Sequence, residues 1–219
     1  MSRAVIFDVD GTLVDTNYLH AVTWWQAFLQ HGHTVPMAAV HRVIGMGSDK
    51  LLDQVLPGSR DRDQDDSMRA AHKALYAQYW TRLRPFDHAA DLLRACSRAG
   101  RTVVLASSAS AEEMRALRTA LDAEDAIDCA TSSADVAESK PAPDLVRAAL
   151  DEAGVAPGDA VFVGDAVWDV EACGRAGVPC VGVLSGGLPE SDLIKAGAVR
   201  VYADVARLWR EFDESPLAH

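Results

Sequence analysis

The chain has 219 residues, of which 49% are hydrophobic, and its formal net charge is −11. This apolar content excludes intrinsic disorder, and the length suits one domain, or one domain that carries a small insertion. The negative net charge leaves no basic stripe for a nucleic-acid backbone, so we expect no nucleic-acid partner. The sequence lacks an apolar run of about 20 residues and a signal-peptide pattern at its beginning, so we predict no membrane association and a cytoplasmic location.

The first residues predict a short buried strand that ends in two acids. Residues 4–7 form an apolar run suited to a strand that is buried on both faces, and Asp8 and Asp10 follow directly. Alternate residues of an extended chain point to the same side, so both carboxylates should project together. Gly11 then permits a sharp turn of the backbone. Two acids therefore converge on one small volume at the end of the strand.

The pattern of apolar residues along the rest of the chain changes near Pro85. Before that point the spacing of apolar residues favours helices over 19–31, 37–44, 49–56 and 65–83. After it, helical stretches alternate with short β-rich runs over 102–106, 127–131, 160–163, 180–184 and 199–202. This alternation is typical of βαβ units and predicts an α/β fold with a parallel sheet. We therefore expect a core formed by residues 1–14 and 83–219, with residues 15–82 inserted after the first strand as a small helical cap.

The four cysteines give no sign of a metal site or a disulfide. They show no C-x-x-C pairing and lie within apolar or helical segments, which predicts buried free thiols. They are Cys96, Cys129, Cys173 and Cys180.

Polar residues follow several of the predicted strands. Ligands of open parallel sheets bind beyond the carboxyl ends of the strands, so these residues are the candidates for a site. Carboxylates that gather around a single lysine would repel one another, which implies a hard divalent cation, and oxygen ligands suit Mg²⁺. Besides Asp8 and Asp10, the candidates are Ser107, Ser108, Lys140, Asp165 and Asp169.

These residues resemble, in order and spacing, the four motifs of the haloacid dehalogenase superfamily. The resemblance spans essentially the whole chain and is to the phosphatases with a helical cap after the first strand, in the branch of phosphoglycolate phosphatase and β-phosphoglucomutase. Asp8-Val9-Asp10-Gly11-Thr12 matches the first motif. Ser107 matches the second, Lys140 the third, and Gly164-Asp165 with Asp169 the fourth. The resemblance implies a doubly wound core and a Mg²⁺-dependent phosphatase that acts on a small soluble phosphate monoester.

The resemblance also implies roles for these residues. Asp8 would attack phosphorus and form an aspartyl phosphate, and Asp10 would protonate the leaving oxygen and then activate water. Mg²⁺ would be held by Asp8, the backbone carbonyl of Asp10, Asp165 and Asp169, the last directly or through Lys140 or water. The phosphoryl group needs charge compensation, which Lys140, Ser107 and nearby donors such as Ser108 would supply.

Two alternatives to a phosphatase stay open. A β-phosphoglucomutase-like mutase shares this cap, and His20 and Trp24 resemble residues at its cap entrance. However, Ser48 stands where the mutase has an arginine for the second phosphate of its substrate. A non-catalytic phosphate-binding protein of the same fold would be favoured by loss of Asp8 or Asp10, and both are present.

His20 and Ser48 are the cap residues that we predict to reach the substrate. Trp24 and Trp25 are better explained as core residues of an amphipathic helix. His31, His33, His41, His72 and His88 have no ligand spacing and are interpreted as structural. We expect a monomer or a homodimer.

Overall fold

A six-stranded parallel sheet forms the centre of the fold in the computed structural model, which describes residues 3–132 and 137–219. The strands are β1 (Ala4–Phe7), β2 (Thr102–Ala106), β3 (Cys129–Thr131), β4 (Ala160–Gly164), β5 (Cys180–Val183) and β6 (Arg200–Tyr202), in the order β3-β2-β1-β4-β5-β6. The predicted α/β fold is confirmed. The third strand begins two residues later than predicted, at Cys129.

Helices cover both faces of this sheet. On one face α5 (Ala89–Arg98), α6 (Ala111–Leu121) and α10 (Val205–Arg210) pack on side chains such as Val5 and Phe7. On the other face α7 (Asp144–Ala153), α8 (Val167–Ala176) and α9 (Glu190–Ala196) pack on Ala4 and Ile6. All four residues of β1 are buried, because side chains of a strand alternate between faces and both faces are covered. The sheet is therefore doubly wound, as predicted.

Four helices between β1 and α5 pack into a separate apolar cluster. They are α1 (Asn17–Gln30), α2 (Met37–Arg42), α3 (Ser48–Val55) and α4 (Asp65–Ala77). Their shared core includes Trp24, Phe28, Val40, Leu51 and Met68. The two chain segments that connect this cluster to the sheet run side by side, since Val14 pairs with Pro85 and the Asp15 amide donates to the Arg84 carbonyl over 3.0 Å.

The helix ends follow local capping chemistry. Ser110 and Glu113 form a reciprocal capping box that begins α6. Gly154 and Gly177 take left-handed conformations that end α7 and α8, as their sequence positions indicate. The prediction of one helix over 65–83 is wrong at its end, because α4 ends at Ala77 and a single 3₁₀ turn follows at Trp80–Arg82.

The cysteines are free, as predicted, and Cys96, Cys173 and Cys180 are buried. Cys129 is only partly buried. It lies on β3, which is an edge strand of the sheet among the described residues. Among the described residues, no helix has the length and apolar character needed to cross a bilayer.

We propose that residues 15–82 form a cap and that residues 1–14 with 83–219 form the core, and Phe28 offers a test. Phe28 is fully buried in the apolar cluster of the cap, whereas the next residue, Leu29, is 44% exposed. Phe28→Ala should lower the free energy of opening of the cap by about 3–5 kcal/mol, because it leaves a cavity there. Hydrogen exchange at amides of α1 and α4 measures this loss.

Leu29→Ala is the matched control and should change stability by no more than about 0.5 kcal/mol. Amides of β1 and β4 should keep their protection in Phe28→Ala. Equal loss of protection in the sheet and in the cap would contradict the division into two units.

Candidate active site

The carboxyl ends of three neighbouring strands bring the predicted site residues together. Asp8 follows β1, Ser107 follows β2 and Asp165 follows β4, and β1 lies between β2 and β4 in the sheet. The strand order changes direction at β1, which is where doubly wound sheets bind their ligands. The Asp8 amide donates to the Val163 carbonyl over 2.9 Å, so the ladder of β1 and β4 continues up to the site.

Three buried carboxylates surround one buried lysine. Asp8, Asp165 and Asp169 are at most 5% exposed, and each offers an oxygen within 4.8 Å of the others. The Lys140 ammonium lies 2.5 Å from Asp8 Oδ1 and 2.6 Å from Asp169 Oδ1. Asp169 also accepts a hydrogen bond from the Ala166 amide at the start of α8. Lys140 is thus fixed between two carboxylates that come from different strand ends.

Burial and charge act against each other in this cluster. Burial raises the pKa of Asp8 well above its ordinary value; Lys140 opposes the shift, and Asp169 and Asp165 add to it. Burial, followed by the charge of Asp169, raises the pKa of Asp165 to about 7. Burial lowers the pKa of Lys140, but the neighbouring Asp169 and Asp8 outweigh it and hold the pKa above its ordinary value. Three acids beside one ammonium leave an excess of negative charge.

The carboxylate cluster has the donors that a divalent cation requires. Asp165 is held by hydrogen bonds from Thr12 at 2.9 Å and from Asn17 at 2.7 Å. Asn17 Oδ1 is buried beside it and, within the described ranges, accepts no hydrogen bond. A side chain at Gly186 would collide with Asp165, so the backbone closes this edge of the cluster. Hard oxygen donors with excess negative charge fit a cation of the Mg²⁺ or Ca²⁺ type.

The carboxylate of Asp10 has a different set of partners from that of Asp8. It accepts hydrogen bonds from Thr16 at 2.8 Å and Ser107 at 3.0 Å, and it lies 3.3 Å from His20 Nε2. Burial opposes ionisation of Asp10, but the contacts with His20, Thr16 and Ser107 outweigh it, so its pKa is lowered. Asp8 and Asp10 border the same cavity, yet only Asp8 is part of the carboxylate cluster.

An aromatic stack from the cap forms the wall beside Asp10. Trp24, His72, His20 and Tyr76 stack in succession, with centroids 4.1 Å apart for Trp24 and His72 and 4.0 Å apart for His20 and Tyr76. His20 Nδ1 lies 3.3 Å from His72 Nε2, and burial lowers the pKa of His72 well below its ordinary value. A neutral His72 can accept this hydrogen bond when His20 is protonated. On its other nitrogen, His20 faces Asp10 and the Glu113 carboxylate, which is 3.7 Å away.

The cap and the sheet enclose a cavity of about 120 Å³. Direct contacts hold them together: Lys50 donates to the Ser139 carbonyl over 2.6 Å, Ser139 Oγ donates to Asp49 over 2.7 Å, and His41 Nε2 donates to the Gly186 carbonyl over 2.9 Å. Gly47 packs so closely on Ser139 that no side chain fits there. These contacts thus hold α2 and α3 directly against the segments that follow the strands.

The predicted site residues occupy two adjoining regions. Asp8, Asp10, His20, Ser48, Ser107 and Ser108 border the cavity. Lys140, Asp165 and Asp169 complete the carboxylate cluster beside it. His72, interpreted as structural, also borders the cavity, as does Trp24.

Sequence reasoning missed the residues that position this site. Glu113 belongs to the S-x-x-E capping box of α6, and that local role gives no hint that its carboxylate also faces His20. His72 and Tyr76 are four residues apart on α4, which places them on one helix face, but nothing local shows that this face meets α1. The other missed residues are Thr12, Thr16 and Asn17.

Known proteins that are similar to this chain include phosphatases and related hydrolases. The phosphoglycolate phosphatase of Rhodospirillum rubrum is 31% identical over 98% of this chain and 93% of its own length. A hydrolase structure from Pseudomonas syringae superposes with a TM-score of 0.92 at 29% identity, covering 98% of this chain and 99% of that one. CbbY from Rhodobacter sphaeroides, solved in complex with phosphate, gives 0.76 at 25% identity over 95% and 96% of the two chains.

Residues 2–177 match the model of the haloacid dehalogenase-like hydrolases. This match and the Rhodospirillum rubrum relative confirm the predicted enzyme class, a phosphoric monoester hydrolase of this type. The chain, with its acid-bearing strand ends closed by a helical cluster, therefore belongs to the haloacid dehalogenase-like hydrolase family.

Proposed function

We propose that this protein is a Mg²⁺-dependent phosphatase that hydrolyses a small phosphate monoester through an aspartyl-phosphate intermediate on Asp8. The observation that carries the proposal is the buried contact of Lys140 with Asp8 beside Asp165 and Asp169, at a strand end that borders a cavity. To catalyse phosphoryl transfer, a protein mainly has to position the reactants and compensate their charge. This arrangement supports both.

Asp8 supplies the nucleophilic oxygen. The contact with Lys140 favours its ionised form, and the hydrogen bond between its backbone amide and Val163 fixes the start of the side chain. Attack on phosphorus forms the Asp8 Oδ–P bond as the bond between phosphorus and the ester oxygen breaks. Lys140 and Ser107 lie where they can face the equatorial oxygens of the phosphoryl group.

Asp10 acts as the general acid in the first half of the reaction and as the general base in the second. Its hydrogen bonds keep it ionised in the structure, and an arriving phosphoryl dianion would raise its pKa and favour the protonated form. It can then protonate the leaving alcohol and, as a carboxylate again, take a proton from the water that hydrolyses the aspartyl phosphate. Thr16 and His20 orient Asp10 throughout.

The proposed metal ligands are Asp8, the Asp10 carbonyl and Asp165, with Asp169 acting directly or through Lys140. When bound, the cation neutralises charge on the phosphoryl oxygens and on the cluster. Thr12 and Asn17 orient Asp165 for this contact.

Closure of the cap excludes water from the cavity. Lys50 and Asp49 at the start of α3 bind both polar groups of Ser139, next to Lys140. A closed cap therefore also steadies the segment that carries the lysine. Release of product requires these contacts to break.

A mutase needs a cation for the second phosphate of its substrate. Ser48, at the place of the mutase arginine, borders the cavity and brings no charge. Its position favours hydrolysis over a return of the phosphoryl group to a second hydroxyl.

Substitution of the two aspartates should separate the half-reactions. Asp8→Asn should lower kcat on the order of 10⁶-fold, as loss of a covalent nucleophile does. Asp10→Asn should lower kcat by about 10²–10⁴-fold. With p-nitrophenyl phosphate, whose leaving group needs no proton, Asp10→Asn should give a burst of p-nitrophenol equal to the enzyme concentration, because Asp8 still attacks while hydrolysis of the intermediate is slow. Stopped-flow absorbance measures the burst.

Asp213→Asn serves as the control, since Asp213 is an exposed aspartate far along the chain from both motifs. Its kinetics should equal those of the wild type. Turnover by Asp8→Asn at the wild-type rate would refute the covalent mechanism.

Removal of divalent cations should abolish turnover, and Mg²⁺ should restore it. Binding should also stabilise the fold, by about 2.7 kcal/mol when free Mg²⁺ is 100 times its Kd. Thermal unfolding with and without Mg²⁺ measures this shift independently of activity. Asp165→Asn should show a smaller shift, because it removes one charged donor. Full turnover in excess chelator would contradict a metal-dependent reaction.

A further inference from the structure

The cavity next to the phosphoryl site is bordered by acids and aromatic rings. Its charged or ionisable side chains are those of Asp8, Asp10, Glu113, His20 and His72. Among the described residues, no lysine or arginine borders it. Of these groups, Asp8 and Asp10 are assigned to the chemistry, and Glu113, from the first turn of α6, remains for the alcohol part of the substrate.

No unpaired positive charge faces this cavity from the described residues. The charge of His20, when protonated, is already matched by Asp10 at 3.3 Å and Glu113 at 3.7 Å. Lys140 is held by Asp8 and Asp169. A second anionic group on the substrate would therefore find no unpaired cation among the described residues that border the cavity.

Two lysines at the boundary between the cap and the sheet are also paired. Lys50 lies 3.5 Å from Glu138, and Lys73 lies 3.0 Å from Glu112. Neither lysine borders the cavity.

The helix ends near the cavity also carry acidic side chains. The amino-terminal turns of α3 and α6 point toward it through Ser48 and Glu113, and such turns ordinarily favour anions. Here the first turn of α3 carries Asp49, and that of α6 carries Glu112 and Glu113. Of these three acids, Glu113 borders the cavity, at the turn of α6 where an anionic ligand would bind.

We propose that Glu113 selects substrates whose alcohol part is compact and has no second anionic group, with a hydroxyl or ammonium donor that faces the Glu113 carboxylate. The inference rests on the proposed phosphatase function and names its substrate class. The cavity of about 120 Å³ is partly open to solvent, so it favours a compact alcohol without excluding the larger p-nitrophenyl group of the reference ester. A carboxylate on the alcohol, as in phosphoglycolate, would face Glu113 and Asp10 as a like charge.

The test compares esters that differ only in the charge of the alcohol. The probes are 2-hydroxyethyl phosphate, phosphoethanolamine and 2-phosphoglycolate, with p-nitrophenyl phosphate as an activated reference. The wild type with Mg²⁺ should turn over 2-hydroxyethyl phosphate or phosphoethanolamine with a kcat/KM at least about 10-fold above that for 2-phosphoglycolate. The free-energy cost of placing like charges together is larger than this factor requires.

Glu113→Gln tests the assignment to this residue. Glutamine can still form the capping box of α6, so the helix should be preserved. The variant should reduce the preference for 2-hydroxyethyl phosphate over 2-phosphoglycolate at least about 10-fold, as expected when a like charge is removed. Glu112→Gln is the matched control, because this neighbour is 56% exposed and pairs with Lys73 at the surface. It should leave the preference unchanged.

The outcomes separate this inference from the proposed function. If 2-phosphoglycolate equals or exceeds the uncharged ester in the wild type, the inference fails while the phosphatase function stands. An unchanged preference in Glu113→Gln overturns the role of Glu113. If none of the four esters is hydrolysed, the proposed function fails, and the inference falls with it.

Discussion

The structure of the site depends on the burial of the Lys140 ammonium between Asp8 and Asp169. A charge that is 1% exposed must be paired, and two carboxylates from different strand ends pair it. This contact joins the segment after β3 to β1 and to the first turn of α8. Removal of either acid would leave a buried charge without its full complement, so the geometry of nucleophile, lysine and metal site is set as one unit.

Helix α1 links this unit to the cap. Asn17, His20 and Trp24 lie on one face of this helix, and each contacts a different part of the site. Asn17 donates to Asp165, His20 contacts Asp10, and Trp24 stacks on His72. The same helix packs its other apolar residues into the cluster of the cap. A displacement of α1 would therefore change the orientation of Asp10 and Asp165.

The site has two parts that favour ligand groups of opposite charge or none: the carboxylate cluster and the cavity beside Glu113. On the sheet side, the excess of carboxylates favours a divalent cation. A bound cation would place positive charge where a phosphoryl group reacts. Where the aromatic rings border the cavity, Glu113 of α6 adds a negative charge. A phosphate monoester with an uncharged or cationic alcohol satisfies both parts, so discrimination among esters comes from electrostatic mismatch as much as from shape.

The sequence alone determined the sheet, the inserted helices and the residues at the strand ends, because short buried runs, glycine helix ends and the acid pair at Asp8 and Asp10 are local signals. Only the tertiary structure decided which residues support them. The pairing of Lys140 with Asp169, the contact of His20 with Glu113 and the stack of His72 on Trp24 each join segments far apart along the chain. Such contacts depend on how helices pack across the sheet edge, and a polar residue that caps a helix or lies on its surface looks the same in sequence whichever neighbour it meets.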